Sequence, residues 1–195
     1  MLENALVLRN YTSKKKFAVK TLVSLGLVVL AVALPQLVHL ALGQPGGAKW
    51  LPMYLPVLIG GCLLGSKWAL SVGILSPVVS FAFTSLFLGE PMPAAARLPF
   101  MVVELAVFAA VSGLFSKKIS ENGLWAFVAV ACAQVSGRAV FLALAKIFDF
   151  ATPFAFNMIV GQVKTGVIGL GVQLAIVPII IVVLKKLMER DNENA

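Results

Sequence analysis

Apolar runs separated by short polar or Gly/Pro-rich turns dominate the pattern of this chain. About 20 predominantly apolar residues cross the hydrocarbon core of a bilayer as an α-helix, so runs near this length predict membrane-spanning helices. Six such runs occupy residues 17–42, 51–65, 68–88, 98–115, 124–148 and 154–184. The second run is the shortest, and the sixth is longer than one crossing needs. The pattern predicts an all-α integral membrane protein, a bundle of six transmembrane helices.

Composition strengthens this prediction. Hydrophobic residues make up 60% of the 195 residues and charged residues only 12%, against about 45–50% and about 25% in soluble domains. This imbalance excludes a soluble enzyme, a nucleic-acid binder and a disordered protein. We expect three parts: a cytoplasmic or interfacial N-terminal segment, 1–16; the six-helix transmembrane domain, 17–184; and a cytoplasmic tail, 185–195.

Positive charges concentrate at alternate ends of the predicted spans. Cytoplasmic loops of membrane proteins carry an excess of Lys and Arg. With both termini inside, the cytoplasmic ends carry Arg9, Lys14, Lys15, Lys16, Lys20, Lys67, Lys117, Lys118, Lys185, Lys186 and Arg190. The outer ends then carry Lys49, Arg97 and Lys146. This asymmetry predicts an N-in, C-in topology.

A secretory signal peptide is a second interpretation of the first run. Lys16 and Lys20 precede an apolar stretch, and the Ala-Val-Ala sequence at 31–33 imitates a cleavage site. The apolar run continues to Leu42, however, which is longer than the usual hydrophobic region of a signal peptide. We therefore expect the first helix to be uncleaved.

Several polar side chains lie inside the predicted spans, where ionisable groups are costly and mark functional sites by default. At 1.5 Å per residue, Arg138 and Lys164 lie about 15 Å from the outer ends of their spans and Glu104 about 9 Å. One carboxylate cannot neutralise two cations, so one positive charge remains for an anionic ligand. The predicted substrate-binding residues are Arg138, Lys164, Glu104, Asn157, Gln134, Gln36, Gly161, Trp50 and Tyr54.

Other polar residues in the spans have simpler interpretations. Glu104 could pair with one cation only to join helices, as polar groups in membranes do. His39, the only histidine, is expected at the membrane interface, and Cys62 and Cys132 are expected to be packing residues. No triad or metal-ligand spacing occurs in the sequence. We therefore expect neither an enzyme nor a metal or cofactor.

Several segments resemble the substrate-binding S components of energy-coupling factor (ECF) transporters, in the group that includes riboflavin, pantothenate and cobalamin carriers. They span most of the region from residue 51 to 184, in an order that makes the match more specific than any one segment. The segments are 55–65 continuing through Trp68 to 73–77, Met-Val-Val-Glu-Leu at 101–105, Gly137-Arg138, and 171–173 followed by 176–178.

The resemblance implies a membrane-embedded component of an ECF-type ABC importer, which captures a vitamin or related micronutrient from outside for ATP-driven uptake. Its implied partners are a coupling transmembrane subunit and two cytoplasmic ATPases, and its implied location is a bacterial plasma membrane. The loop at 43–50 is then expected to help close the site. The surplus positive charge favours a small anionic substrate such as pantothenate or nicotinate.

Docking on the coupling subunit is expected through the first helix, where S components often carry an Ala-x-x-x-Ala face. That face is incomplete here, and the corresponding residues are Ala18, Gly26, Leu30 and Ala33. Two other functions remain open. One is a stand-alone small-solute transporter or channel without an ATPase, and the other is an assembly subunit that binds no ligand.

Overall fold

A computed structural model describes residues 1–8, 11–148 and 156–193. These residues form helices and connecting turns, and no β-strand occurs among them. The helices are α1 (Leu2–Leu8), α2 (Ser13–Trp50), α3 (Tyr54–Leu64), α4 (Ser66–Phe83), α5 (Leu98–Leu114), α6 (Ser116–Glu121), α7 (Trp125–Ile147) and α8 (Phe156–Glu193). A π-helical turn, Thr84–Leu88, continues α4, and a 3-10 turn, Ala95–Arg97, leads into α5.

Within the described ranges, five helical segments are long and apolar enough to cross a membrane. They are Ser13–Gly43, Ser66–Leu88, Ala95–Leu114, Trp125–Ile147 and Val163–Arg190. The chain is therefore an all-helical protein of the multi-pass membrane type. The predicted second span corresponds to α3, which is apolar but has only 11 residues. A count of six crossings and the N-in orientation stay predictions.

Gly43 interrupts α2. Its φ of 69° and ψ of −175° are not helical, and glycine adopts positive φ at little cost because it has no Cβ. The chain then returns to helix as far as Trp50. The expectation of a loop at 43–50 is thus wrong for most of that segment. The connection between α2 and α3 is confined to residues 51–53.

α5 lies at the centre of the bundle, packed against α3, α4 and α7. Close packing on two sides depends on glycine. A Cβ on Gly73 of α4 would lie 2.6 Å from the carbonyl oxygen of Leu105, and a Cβ on Gly137 of α7 would overlap the ring of Phe108. α4 therefore approaches the α5 backbone closely at Gly73, while α7 packs Gly137 against the Phe108 ring of α5.

The helices neighbouring α5 define two ends of the bundle. α5 and α7 are antiparallel: Glu104 lies beside Arg138 toward one end, whereas Phe115, after α5, stacks on Trp125 at the other. The Trp125 end also holds α6, where the Lys185 ammonium of α8 donates a hydrogen bond to the carbonyl of Glu121, over 2.9 Å. We call this the basic end, because Lys117, Lys118, Lys185 and Lys186 lie there.

Candidate binding site

Three side chains from three helices meet inside the bundle. Tyr54, the first residue of α3, donates its phenolic hydrogen to Oε2 of Glu104 in α5, over 2.5 Å. Nη1 of Arg138, in α7, lies 2.9 Å from the other carboxylate oxygen, Oε1. Glu104 is fully buried, and buried charges require such partners because desolvation is costly. Of the two intramembrane cations that the sequence offers as partners for Glu104, Arg138 is the one that pairs with it.

Two nitrogen atoms of the Arg138 guanidinium donate no hydrogen bond to the described part of the chain. Its Nε and Nη2 atoms are buried, and neither has a hydrogen-bond partner in the described part of the chain. Nη1 of Arg138 and Oε1 of Glu104 are close enough to form an ion pair, but their geometry is not that of a hydrogen bond. Nε and Nη2 lie on the same side of the guanidinium and form one edge, which can bind a carboxylate through two parallel N–H···O bonds. Unfilled buried donors are unfavourable, so this edge favours an acceptor.

Arg138 also lines a cavity of about 520 Å³. Its volume falls within the range of small-molecule sites, about 300–1,000 Å³. The lining is mostly apolar and comes from α2, the turn after it and the start of α3, from α4 and the connection after it, and from the 3-10 turn, α5 and α7. Its residues are Pro35, His39, Leu51, Pro52, Met53, Tyr54, Ser80, Gly89, Glu90, Pro91, Met92, Pro93, Ala94, Arg97, Met101, Arg138 and Phe141.

The connection 89–94 forms one wall of the cavity and is held by α4. The backbone N–H of Met92 donates to Oγ1 of Thr84 over 2.7 Å, and the hydroxyl of Ser80 donates to the Met92 carbonyl over 2.9 Å. Sequence reasoning missed this wall. Irregular backbone is predicted here by Gly89, Pro91 and Pro93. These residue types do not predict that the segment lies over a cavity.

A second anchor holds the α2–α3 connection against α8. Nε2 of Gln173 donates to the carbonyls of Trp50 and Leu51, over 3.2 and 2.9 Å. Four residues earlier, Gly169 lies against the same backbone, where a Cβ would be 2.6 Å from the Trp50 carbonyl oxygen. Gln173 was absent from the predicted site, although an amide inside an apolar span is a usable signal.

Lys164 does not lie where the sequence prediction placed it. Its side chain is exposed and does not line the cavity. Gly166, two residues later, faces inward, since a Cβ there would lie 3.5 Å from Nη2 of Arg138. Two residues turn an α-helix by about 200°, so Lys164 points away from Arg138. The surplus positive charge expected from Arg138 and Lys164 together is therefore not in the cavity.

Apart from Tyr54, the other predicted binding residues differ in burial, and none of those that the structure describes lines the cavity with its side chain. Gln134 is buried and donates to the Leu170 carbonyl over 3.0 Å, so it joins α7 to α8. Gln36 is half-buried outside the cavity lining, and Gly161 is exposed. Trp50 contributes its carbonyl to the Gln173 anchor, while its side chain is exposed. The Asn157 side chain lies outside the described residues.

His39, Tyr54 and the cysteines complete the comparison with the sequence. His39, expected at the interface, lines the cavity with its Nδ1 buried and without a hydrogen-bond partner among described atoms. Tyr54, a predicted binding residue, lines the cavity and also donates its hydroxyl hydrogen to Glu104. Cys62 is buried and Cys132 half-buried, as packing residues are.

The predicted docking residues lie along α2. Ala18, Gly26 and Leu30 are exposed, and Ala33 is half-buried. Leu22 and Val29 are also exposed on this helix, at 72% and 65%. Such an apolar surface suits lipid as well as a partner helix, and docking on a coupling subunit stays a prediction.

No protein-family model, curated protein or solved structure matches this chain. The likeness to ECF S components therefore stands on the sequence segments alone. What the fold adds is a cavity, lined in part by Arg138, at the end of the bundle opposite the basic end.

Proposed function

We propose that the chain is a membrane-embedded binding protein that captures a small anionic solute, and that it serves as the S component of an ECF-type importer. The observation that carries the capture role is Arg138, which lines a cavity of about 520 Å³ and whose buried Nε and Nη2 atoms have no partner in the described part of the chain. Charge-assisted hydrogen bonds to a guanidinium are among the strongest in proteins. An anionic group is the ligand that such an edge holds best.

In this proposal the chain crosses the membrane six times, with both termini in the cytoplasm. Support comes from the basic end, which carries lysines of α6 and α8, because cytoplasmic loops are rich in Lys and Arg. The cavity lies toward the opposite end, where Arg97 precedes α5. The site therefore receives its ligand from outside the cell.

The role in ATP-driven uptake draws its support from the sequence resemblance. It requires a coupling subunit, for which the exposed small residues Ala18 and Gly26 of α2 offer a surface, and ATPases that hydrolyse ATP in place of this chain. Copurification with those subunits under lipid-preserving conditions tests this part. Failure to copurify would favour a stand-alone transporter.

Mass spectrometry of released ligands tests the capture role. Wild-type protein and Arg138→Ala are purified in mild detergent from cells grown in rich medium, denatured, and their small molecules compared. We expect a near-stoichiometric anion from the wild type and its loss from the variant. Arg190→Ala serves as the control, because Arg190 is exposed near the end of α8. The same yield of that compound from all three proteins, or none from any, would contradict capture.

An assembly subunit without a ligand is the second candidate. The interhelical contacts favour it, because the Glu104–Arg138 pair joins α5 to α7 and the bond from Gln134 to Leu170 joins α7 to α8. In that case Arg138→Ala lowers stability and no small molecule copurifies with any folded form. The two candidates thus give opposite results in the release experiment.

A further inference from the structure

We propose that an anionic phospholipid binds at the basic end, where α6 joins α5 to α7, with its phosphate on two lysines of α6 and its acyl chains on the neighbouring apolar side chains. We call this surface the α6 corner. It consists of Leu114, Lys117, Lys118, Leu124 and Trp125. The site is independent of the proposed capture function, because none of these residues lines the cavity.

α6 lies between the ends of two membrane-spanning segments. The apolar segment Ala95–Leu114 ends just before it, and Trp125–Ile147 begins just after it. Ile119 of α6 is fully buried, so this short helix packs against the bundle instead of extending into water. An exposed tryptophan next to such a helix is typical of a membrane interface. In a bilayer, the exposed lysines of α6 therefore lie at the depth of the lipid phosphates.

One of the two lysines is held in place by an aromatic ring. Nζ of Lys118 lies 4.4 Å from the centroid of the Trp125 ring, and that ring stacks on Phe115 with centroids 6.2 Å apart. A cation over the face of a tryptophan is attracted to it, yet the ammonium keeps hydrogen-bond donors for a second partner. The position of the charge is thus restricted before a phosphate binds, which lowers the entropy cost of binding.

The charges around the α6 corner favour an anionic headgroup. The ion pairs at this end join Lys20 to Glu3 and Lys185 to Glu189, and neither lysine of α6 has a carboxylate partner in the described part of the chain. Glu121 is the acidic residue of α6, so the helix carries a net charge of +1. A headgroup with one net negative charge matches it, whereas a zwitterionic headgroup brings a further cation.

Exposed apolar side chains favour a lipid over a soluble anion. Leu114 and Leu124 are 73% and 64% exposed, and Phe127 and Val128 of α7 are exposed as well. Leu114 ends one membrane-spanning segment and Leu124 directly precedes the other, so both lie next to the lysines on the membrane side. A soluble phosphate ester would contact only the lysines, whereas a phospholipid also covers the leucines with its acyl chains.

The start of α2 provides a matched control. Lys14 and Lys15 are exposed there, but Lys15 lies 6.0 Å from the Tyr11 ring, at the limit of a cation–π contact. α2 packs mainly on α3, α4 and α8. Replacing these two lysines therefore removes the same amount of charge without altering the α6 corner.

Fluorescence quenching by brominated lipids tests the proposal at a single position. The three tryptophans are Trp50, Trp68 and Trp125, of which Trp50 and Trp125 are exposed to nearly the same extent, 37% and 36%. The full chain with Trp125 alone, made by Trp50→Phe and Trp68→Phe, is placed in nanodiscs of phosphatidylcholine and phosphatidylglycerol. Either lipid carries bromine near the glycerol end of its acyl chains, so quenching measures which lipid lies beside Trp125.

We expect phosphatidylglycerol to be preferred at Trp125 by at least about threefold, since each lysine near anionic headgroups contributes to binding. The double variant Lys117→Gln, Lys118→Gln should abolish the preference, while Lys14→Gln, Lys15→Gln should leave it unchanged. Absence of a preference in the parent protein, or an equal loss in the two double variants, would overturn the proposal.

Two measurements with all lysines intact keep the test decisive if a double variant does not fold. The chain with Trp50 alone, made by Trp68→Phe and Trp125→Phe, should show no preference at Trp50, which precedes the cavity-lining Leu51. Glycerol 1-phosphate, a soluble phosphate ester without acyl chains, should not displace phosphatidylglycerol from Trp125. An equal preference at Trp50 would mean enrichment around the whole protein, and displacement would indicate a site for a soluble anion. Either result would overturn the proposal.

Discussion

Glu104 and Arg138 face each other across α5 and α7, with Oε1 of the glutamate 2.9 Å from Nη1 of the arginine. Glu104 is fully buried, while 12% of the Arg138 side chain is exposed. The carboxylate holds one nitrogen of the guanidinium, whereas Nε and Nη2 have no partner in the described part of the chain. The ion pair therefore joins α5 to α7 through an arginine that also lines the cavity.

Breaking that pair should destabilise the protein strongly. Glu104→Ala leaves the Arg138 charge without its partner, which costs about 3–5 kcal/mol of unfolding free energy for buried pairs. Glu104→Gln still accepts the hydrogen bond from Tyr54 and should cost less. Unfolding in detergent micelles measures both variants. Wild-type stability in Glu104→Ala would show that Arg138 finds another partner.

Arg138 and Lys164 should differ sharply in their effect on binding. A hydrogen bond to a charged group contributes about 1.5–3 kcal/mol, so Arg138→Ala should weaken ligand affinity by about tenfold or more. Lys164 is exposed and outside the cavity lining, so Lys164→Ala should leave affinity unchanged within about twofold, under 0.5 kcal/mol. Calorimetry with the ligand identified by mass spectrometry compares them. A larger loss in Lys164→Ala would place the site along α8.

Replacing glycine by alanine should have opposite effects on stability at Gly137 of α7 and Gly26 of α2. In Gly137→Ala the new methyl group overlaps the Phe108 ring, and overpacking of this kind costs about 1–3 kcal/mol. A Cβ on Gly26 meets no described atom within 4 Å, so Gly26→Ala should be neutral or stabilising by up to about 1 kcal/mol through helix propensity. Thermal unfolding of the two variants side by side checks this. Equal stability would mean that α7 can move away from α5.

Two glutamines provide the next matched pair. Gln173→Leu removes the donor to the Trp50 and Leu51 carbonyls, which should cost about 1–3 kcal/mol if those groups stay buried. Gln36 has a buried Nε2 without a partner among the described residues, so Gln36→Leu should be neutral or stabilising. Hydrogen exchange should accelerate at residues 49–53 only in Gln173→Leu. Unchanged exchange there would mean that Gly169 packing alone holds the connection.

Cysteine labelling tests the predicted topology. In a Cys62→Ala, Cys132→Ala background, Glu90→Cys places a thiol at the cavity wall and Glu121→Cys places one at the basic end; both residues are exposed. A membrane-impermeant maleimide added to intact cells should label the first and spare the second. Permeabilised cells provide the control, in which both should react. The reverse pattern would invert the N-in orientation.

The sequence predicts the helical bundle and offers Arg138 or Lys164 as the partner of Glu104, because charges inside apolar spans have few ways to be satisfied. The choice of Arg138 comes from the structure. Depth along a helix also follows from residue count, which is why Arg138 and Lys164 were predicted at similar depths. Rotation about the helix axis does not follow from it. Burial of Gly166 beside Arg138 turns Lys164 outward, and the sequence offered no measure of that rotation.

The remaining parts of the site come from contacts between distant segments. His39 lines the cavity because α2 continues past Pro35 to Gly43 before its helical geometry breaks. The wall at 89–94 depends on hydrogen bonds from Ser80 and Thr84 to Met92. Each of these is a tertiary arrangement whose local sequence is compatible with several positions, so residue types alone could not place it.

The short length of α3 has a consequence for an energised membrane. Its 11 residues, from Tyr54 onward, span about 16 Å, roughly half of a hydrocarbon core of about 30 Å. If the cavity is filled with water, the electric field falls mainly across the packed half. In the proposed topology, an anion that enters from outside would then move against part of a potential in which full crossing costs about 2.3 kcal/mol per 100 mV. Cells with a high membrane voltage should hold the ligand less tightly than the purified protein does.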